Sequence, residues 1–118
     1  MFIYFPFRFS SLLLVLFTLS MGSLKLLSTE FEVYGIVQGV FFRKYTQQEA
    51  TRLGLKGWCM NTQAGTVKGV LEGDANKVAD MKTWLQTKGS PQSRIDKTEF
   101  KNEKEIQKLT FDDFKIKR

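Results

Sequence analysis

Apolar and polar positions alternate along one stretch of the chain and recur at helical spacing along two others. Phe31, Val33, Gly35 and Val37 fall on one side of a period-two pattern, with Glu30, Glu32 and Tyr34 on the other. This predicts a half-buried strand. After a glycine turn, Phe42, Thr46, Ala50 and Leu53 recur at helical spacing, and Gly54 supplies a C-terminal stop. Leu55–Asn61 and Thr66–Glu72 read as two strands. The short loop Thr62-Gln63-Ala64-Gly65 between them predicts an antiparallel hairpin. Asp74 is placed to cap a second helix from Ala75 to about Lys88. Val78, Met81, Trp84 and Leu85 form its apolar stripe, and Gly89 and Pro91 end it. A strand around Arg94–Lys101 follows, and Phe114 and Ile116 predict a last short strand.

The order strand, helix, strand, strand, helix, strand is the split βαβ arrangement. The expected fold class is therefore α+β, ferredoxin-like βαββαβ, with an antiparallel sheet and two helices on one face. No internal repeat, low-complexity tract or linker divides residues 28–118, and a chain of 118 residues fits a single domain.

Residues 1–27 follow a different pattern. Phe2–Ser20 is nearly all apolar or hydroxyl, broken by Pro6 and Arg8, and Leu12–Phe17 is an uninterrupted apolar run. That run is short for a spanning helix, which needs about 20 apolar residues. Three readings stay open: an upstream extension before a start at Met21, a signal peptide with a small-x-small site at Ser20-Met21-Gly22, or a membrane anchor. The expected organisation is a hydrophobic extension over 1–27, outside the fold, and a domain over 28–118. The expected compartment is the cytoplasm, with a secreted or anchored form left open by that segment.

Composition narrows the chemistry. Apolar content of 42% and charged content of 25% are those of a folded protein, not a disordered one. The net charge is +6, and 2 of the 18 cations, Arg8 and Lys25, lie in residues 1–27. The remainder is a mildly basic domain whose lysines are spread rather than clustered, as on an ordinary solvated surface. The single cysteine, Cys59, excludes an intramolecular disulfide. The absence of histidine excludes a phosphohistidine intermediate, a histidine base and a histidine-ligated metal.

Gly35-Ile36-Val37-Gln38-Gly39-Val40-Phe41-Phe42-Arg43 runs from the strand through a turn into a helix start. Glycine permits positive φ and close backbone approach. Free N–H groups at a helix start favour an anion, and a guanidinium matches phosphate oxygens as a fork. The turn alone is also consistent with a plain connection. Arg43 shifts the balance, because a cation in the first helical turn is locally unfavourable and a bound anion would explain it. Lys44 reads as solvent-facing. Asn61 ends a strand, where an amide either stabilises the turn or positions a water. Cys59 reads as a small buried hydrophobe, since no basic residue is clearly placed to make its thiolate. Trp58, Trp84, Phe41 and Phe42 read as core or partly buried aromatics, with Phe41 also able to shield the loop from water. Lys97–Glu105 alternates in sign, as a solvated edge does.

These residues resemble the acylphosphatase family. The resemblance rests on Gly35–Arg43, on Gly57-Trp58-Cys59-Met60-Asn61-Thr62-Gln63-Ala64-Gly65-Thr66-Val67 with Gly73, and on Gly89-Ser90-Pro91 and Phe114. It covers about residues 28–118. It implies hydrolysis of the carboxyl–phosphate bond of acyl phosphates to a carboxylate and inorganic phosphate, with no cofactor, no metal and no covalent intermediate. Arg43 resembles the phosphate-binding arginine and Asn61 the water-orienting asparagine. Val37, Gln38, Gly39, Val40, Phe41 and Phe42 resemble the phosphate cradle. The implied partners are the acyl phosphate and its phosphate product, without nucleic acid, and the implied state is a monomer. The alternative is a non-catalytic anion- or RNA-binding ferredoxin-like module. Against the RNA reading, Glu30 and Glu32 occupy the first strand and no Lys/Arg-Gly-Phe-Gly-Phe-type run is present.

Overall fold

The computed structural model describes residues 25–118. The three readings of the N-terminal hydrophobic segment fall on residues outside those described. The elements are β1 (Leu26–Ile36), α1 (Phe42–Arg52), β2 (Lys56–Asn61), β3 (Val67–Asp74), α2 (Ala75–Thr87), β4 (Arg94–Ile106) and β5 (Phe114–Lys117). They form one sheet in the order β4-β1-β3-β2-β5.

β1 lies between β4 and β3 and runs antiparallel to both. Its alternation is that of the sequence: Thr29, Phe31 and Val33 are buried, while Glu30 is exposed and Glu32 and Tyr34 are half-buried. The core lies between this buried side of the sheet and the two helices. Phe42, Ala50, Val78, Met81 and Leu85 are fully buried against Phe31, Val33 and Leu71. The Phe42 and Trp84 rings meet at 5.8 Å between centroids where the helices approach each other. Gly69 is required on β3 because a Cβ there would stand 2.1 Å from the Trp58 carbonyl oxygen and 2.7 Å from the Phe31 ring.

Each helix end has a local cause. Asp74 Oδ1 accepts the Asn76 N–H at 2.8 Å, an N-cap that satisfies one of the orphan donors of α2. Gly54, at φ +74, turns the chain after α1, and the Leu55 N–H returns to the Ala50 carbonyl at 2.8 Å.

Three expectations need correction. The sheet is mixed rather than antiparallel, because β5 pairs parallel to β2, with Gly57 opposite Phe114. β1 begins at Leu26, so the fold starts before residue 28: Leu26 pairs with Asp74 and with Ile106, and the Ala75 N–H bonds the Lys25 carbonyl. β4 extends to Ile106 rather than ending near Lys101. The last two share a reason. Backbone pairing carries no hydrophobic period, and β4 beyond Lys101 is an edge whose side chains are almost all in solvent. The extra length is accommodated by a register shift between Ser28 and Glu30, beside Asn102 at φ +54, whose amide donates to Glu30.

Candidate active site

β1 ends at Ile36, and Val37–Phe41 carries the chain to α1. Two glycines bracket this turn for different reasons. A Cβ on Gly35 would lie 2.0 Å from the Arg94 carbonyl oxygen, so Gly35 is set by the close approach of β4. Gly39 has open space where its Cβ would be, and is set by its φ of +77.

Phe41 is more unusual. It is the N-cap of α1, a non-glycine residue in the left-handed region at φ +60, ψ +24. That conformation costs about 1–2 kcal/mol for an L-residue. Its ring is 69% exposed, so apolar burial does not compensate. The reading of Phe41 as a core or partly buried aromatic is therefore wrong, whereas Phe42 is in the core at 1% exposure. No side chain caps α1, and its first turn carries no acid. Among the described residues, the N–H groups of Gly39, Val40 and Phe41 donate to no backbone carbonyl. Successive left-handed and right-handed residues with free N–H groups make an anion-binding concavity, and the strain at Phe41 is of the kind stored at ligand sites.

The turn borders an open cleft of about 550 Å³. Val37, Gly39, Phe41, Phe42 and Arg43 line it from the loop and helix start, Asn61 from the end of β2, and Ile116 and Arg118 from β5 and beyond. Its side-chain charge is one-sided: Arg43, Lys44 and Arg118 line it and no Asp or Glu does. Arg52 and Arg94 are paired with Glu49 and Asp96, whereas Arg43 and Arg118 have no ion pair among the described residues. The guanidinium at the helix start thus has no carboxylate partner among the described residues.

Asn61 contributes the other anomaly. Its Oδ1 is buried and has no hydrogen-bond partner. It stands in the same cleft as Arg43. An acceptor held there can orient a water through one of its O–H bonds.

Gln38 and Val40, expected as cradle residues, do not line the cleft with their side chains. The Gln38 Nε2 donates to the carbonyls of Thr62 and Thr66, both at 2.9 Å. It ties the loop to the hairpin that carries Asn61. The tie continues inward: the Thr62 and Thr66 hydroxyls lie 2.6 Å apart, and the Thr66 hydroxyl donates to Glu32 Oε2 at 2.5 Å. The Val40 carbonyl accepts the Ser90 hydroxyl at 2.7 Å from the other side. Cys59 lies behind Arg43, fully buried. Burial pushes its thiol up to about 12, against a smaller downward pull from the Arg43 charge. It is a neutral packing residue, as its lack of an activating base suggested.

Sequence reasoning missed Gln47, Ile116 and Arg118 as cleft residues and read Lys44 as merely solvent-facing. Gln47 stands four positions beyond Arg43, which puts it on the same helix face. It bonds the Phe114 carbonyl at 3.0 Å and so joins α1 to β5. Ile116 and Arg118 carried no signal, because only the parallel pairing of β5 with β2 brings them there.

The fold and cleft define a small α+β domain with a cation-lined cleft at a loop–helix junction. The chain matches the acylphosphatase family model over residues 29–116. It is 58% identical over 90 residues to acylphosphatase-1 of Xenopus laevis, covering 76% of this chain and 91% of that one. It is 56% identical over 91 residues to acylphosphatase-1 of Homo sapiens, covering 77% and 92%. Among solved structures, acylphosphatase from Bacillus subtilis superposes with a TM-score of 0.71 at 31% identity, covering 78% of this chain and 99% of the other. This chain belongs to the acylphosphatase family.

Proposed function

We propose that the chain is a hydrolase that cleaves the carboxyl–phosphate bond of acyl phosphates by direct attack of water on phosphorus. One observation carries the reading. An unpaired guanidinium, a strained loop with free N–H groups and an orphaned amide oxygen face a single cleft. Arg43 and the loop N–H groups bind the phosphoryl oxygens. Asn61 Oδ1 accepts a hydrogen bond from the attacking water and holds it in line with the leaving carboxylate. The P–O bond to the acyl group breaks as the bond from water to phosphorus forms. The carboxylate departs with the electron pair, and the proton of the incoming water passes to a phosphoryl oxygen. Acyl phosphates have a good leaving group, so positioning and charge stabilisation suffice without a histidine.

The test is phosphate release from benzoyl phosphate. Arg43→Gln is expected to lose ~10²–10³ in rate, the usual effect of removing one charge-stabilising donor. Asn61→Ala is expected to lower turnover while inorganic phosphate still inhibits at near its original concentration. Wild-type rates in either folded variant would overturn the assignment.

The chain is further proposed to work as a monomer, without nucleic acid and in the cytoplasm. The sheet face on which RNA-recognition domains lay bases carries Glu30, Glu32 and Glu99 beside Lys68 and Lys101. A salt-dependent gel shift with single-stranded RNA would contradict this. Among the described residues no helix is long and apolar enough to cross a membrane. Fractionation of cells producing the full chain checks the compartment: recovery from the medium or the membrane fraction would contradict it.

A further inference from the structure

We propose that Ser90 is a positioning residue that aims the peptide between Val40 and Phe41 so that its N–H faces the phosphoryl group. The proposal rests on the acyl-phosphate reading of the cleft.

The chain leaves α2 through a turn at Gly89-Ser90-Pro91. Ser90 is 2% exposed, and its hydroxyl donates to the Val40 carbonyl at 2.7 Å, across fifty positions of sequence. The turn that carries it is itself fixed. Both the backbone N–H and the hydroxyl of Ser93 donate to the Ser90 carbonyl, at 3.0 and 2.7 Å. Gly89, at φ +64, lets the turn sit against Phe42: a Cβ there would stand 2.8 Å from the Phe42 ring.

The consequence follows from peptide planarity. No peptide bond among the described residues is cis, and in a trans peptide the C=O and the next N–H point in opposite directions. Ser90 does not line the cleft, whereas Gly39 and Phe41 do. Holding the Val40 carbonyl toward Ser90 therefore turns the Phe41 N–H away from it, to the cleft side. The opposite orientation would place a carbonyl oxygen against the phosphoryl oxygens. It would also free Phe41 to leave its left-handed conformation. The serine hydroxyl thus opposes a peptide flip that local backbone preference favours.

The test uses the full chain and inorganic phosphate as the probe. Ser90→Ala is expected to raise the phosphate inhibition constant and KM together, each on the order of tenfold, the scale of one buried hydrogen bond. Ser90→Thr, which keeps the hydroxyl, is expected to restore both. Thr98→Val removes a comparable side-chain-to-backbone bond, to the Leu85 carbonyl at 2.8 Å, away from the cleft. It is expected to lower stability with no change in phosphate inhibition. Equal effects of Ser90→Ala and Thr98→Val, or an unchanged inhibition constant in folded Ser90→Ala, would overturn the proposal. Should Ser90→Ala not fold, the wild-type protein still decides. The Phe41 amide proton is expected to shift downfield on titration with phosphate, and its indifference while phosphate binds would refute the orientation. A wild-type protein that neither binds phosphate nor cleaves benzoyl phosphate would instead refute the function itself.

Discussion

Asn61 shows how a single residue divides stability from activity. Its buried Oδ1 accepts no hydrogen bond from the rest of the protein, so losing the amide breaks no bond of the fold. Replacing it by an apolar side chain of similar shape therefore costs the fold little. Asn61→Leu is expected to hold the urea midpoint while abolishing phosphate release. A fall in both would show that the amide is structural. Cys59, two positions earlier, gives a prediction in pH. Its thiol is raised from 9.0 to about 12 by burial. Above pH 9 the unfolded chain loses that proton and the folded one keeps it, so stability falls as pH rises from about 9 toward 12. Below pH 9 this contribution is constant. The slope is at most about 1.4 kcal/mol per pH unit for one proton. Urea denaturation of wild type and Cys59→Ala at pH 8 and pH 10.5 measures it. The stability advantage of the wild type is expected to shrink at the higher pH, and a constant difference would contradict the shift.

At the scale of elements, the two helices have opposite N-termini. α2 is capped by Asp74, which satisfies the Asn76 N–H and belongs to the fold alone. Asp74→Ala is expected to cost about 1 kcal/mol in urea denaturation with no change in phosphate release. α1 has no side-chain cap, a strained Phe41 and an arginine in its first turn. It forgoes the local devices that stabilise a helix start. The difference between an optimised and an unoptimised terminus is itself a marker of which end meets the ligand.

The whole molecule brings three segments distant in sequence to one cleft. β5 supplies the wall farthest from the loop, and Glu72 fastens it. This carboxylate is 3% exposed and accepts both the backbone N–H of Thr110, at 2.8 Å, and the Thr110 hydroxyl. It thereby anchors the segment that leads into β5 against β3. Glu72→Ala leaves the Thr110 donors without that partner and is expected to cost about 1–3 kcal/mol. Because Ile116 and Arg118 line the cleft from this side, KM for benzoyl phosphate is expected to rise with kcat little changed. Denaturation and steady-state kinetics on one preparation check both, and an unchanged KM would mean that β5 is no part of the substrate wall.

Much of this protein was legible from residue order. The period-two run ending at Val37, the helical spacing from Phe42 and the stripe Val78–Leu85 named the elements, because burial imposes those periods directly on side chains. Arg43 stood out for the same kind of reason, as a charge of the wrong sign for its helical turn. What the tertiary structure decided lies where no period is written. The β1 start at Leu26 and the length of β4 are fixed by main-chain pairing, which any side chain accompanies. The cleft positions of Ile116 and Arg118 depend on β5 joining β2 in parallel, a contact between residues more than fifty positions apart. The grip of Gln38 on the hairpin is two hydrogen bonds and that of Ser90 on Val40 is one, all between distant segments. Such bonds exist only after the chain has closed on itself, so they leave no local mark in the sequence.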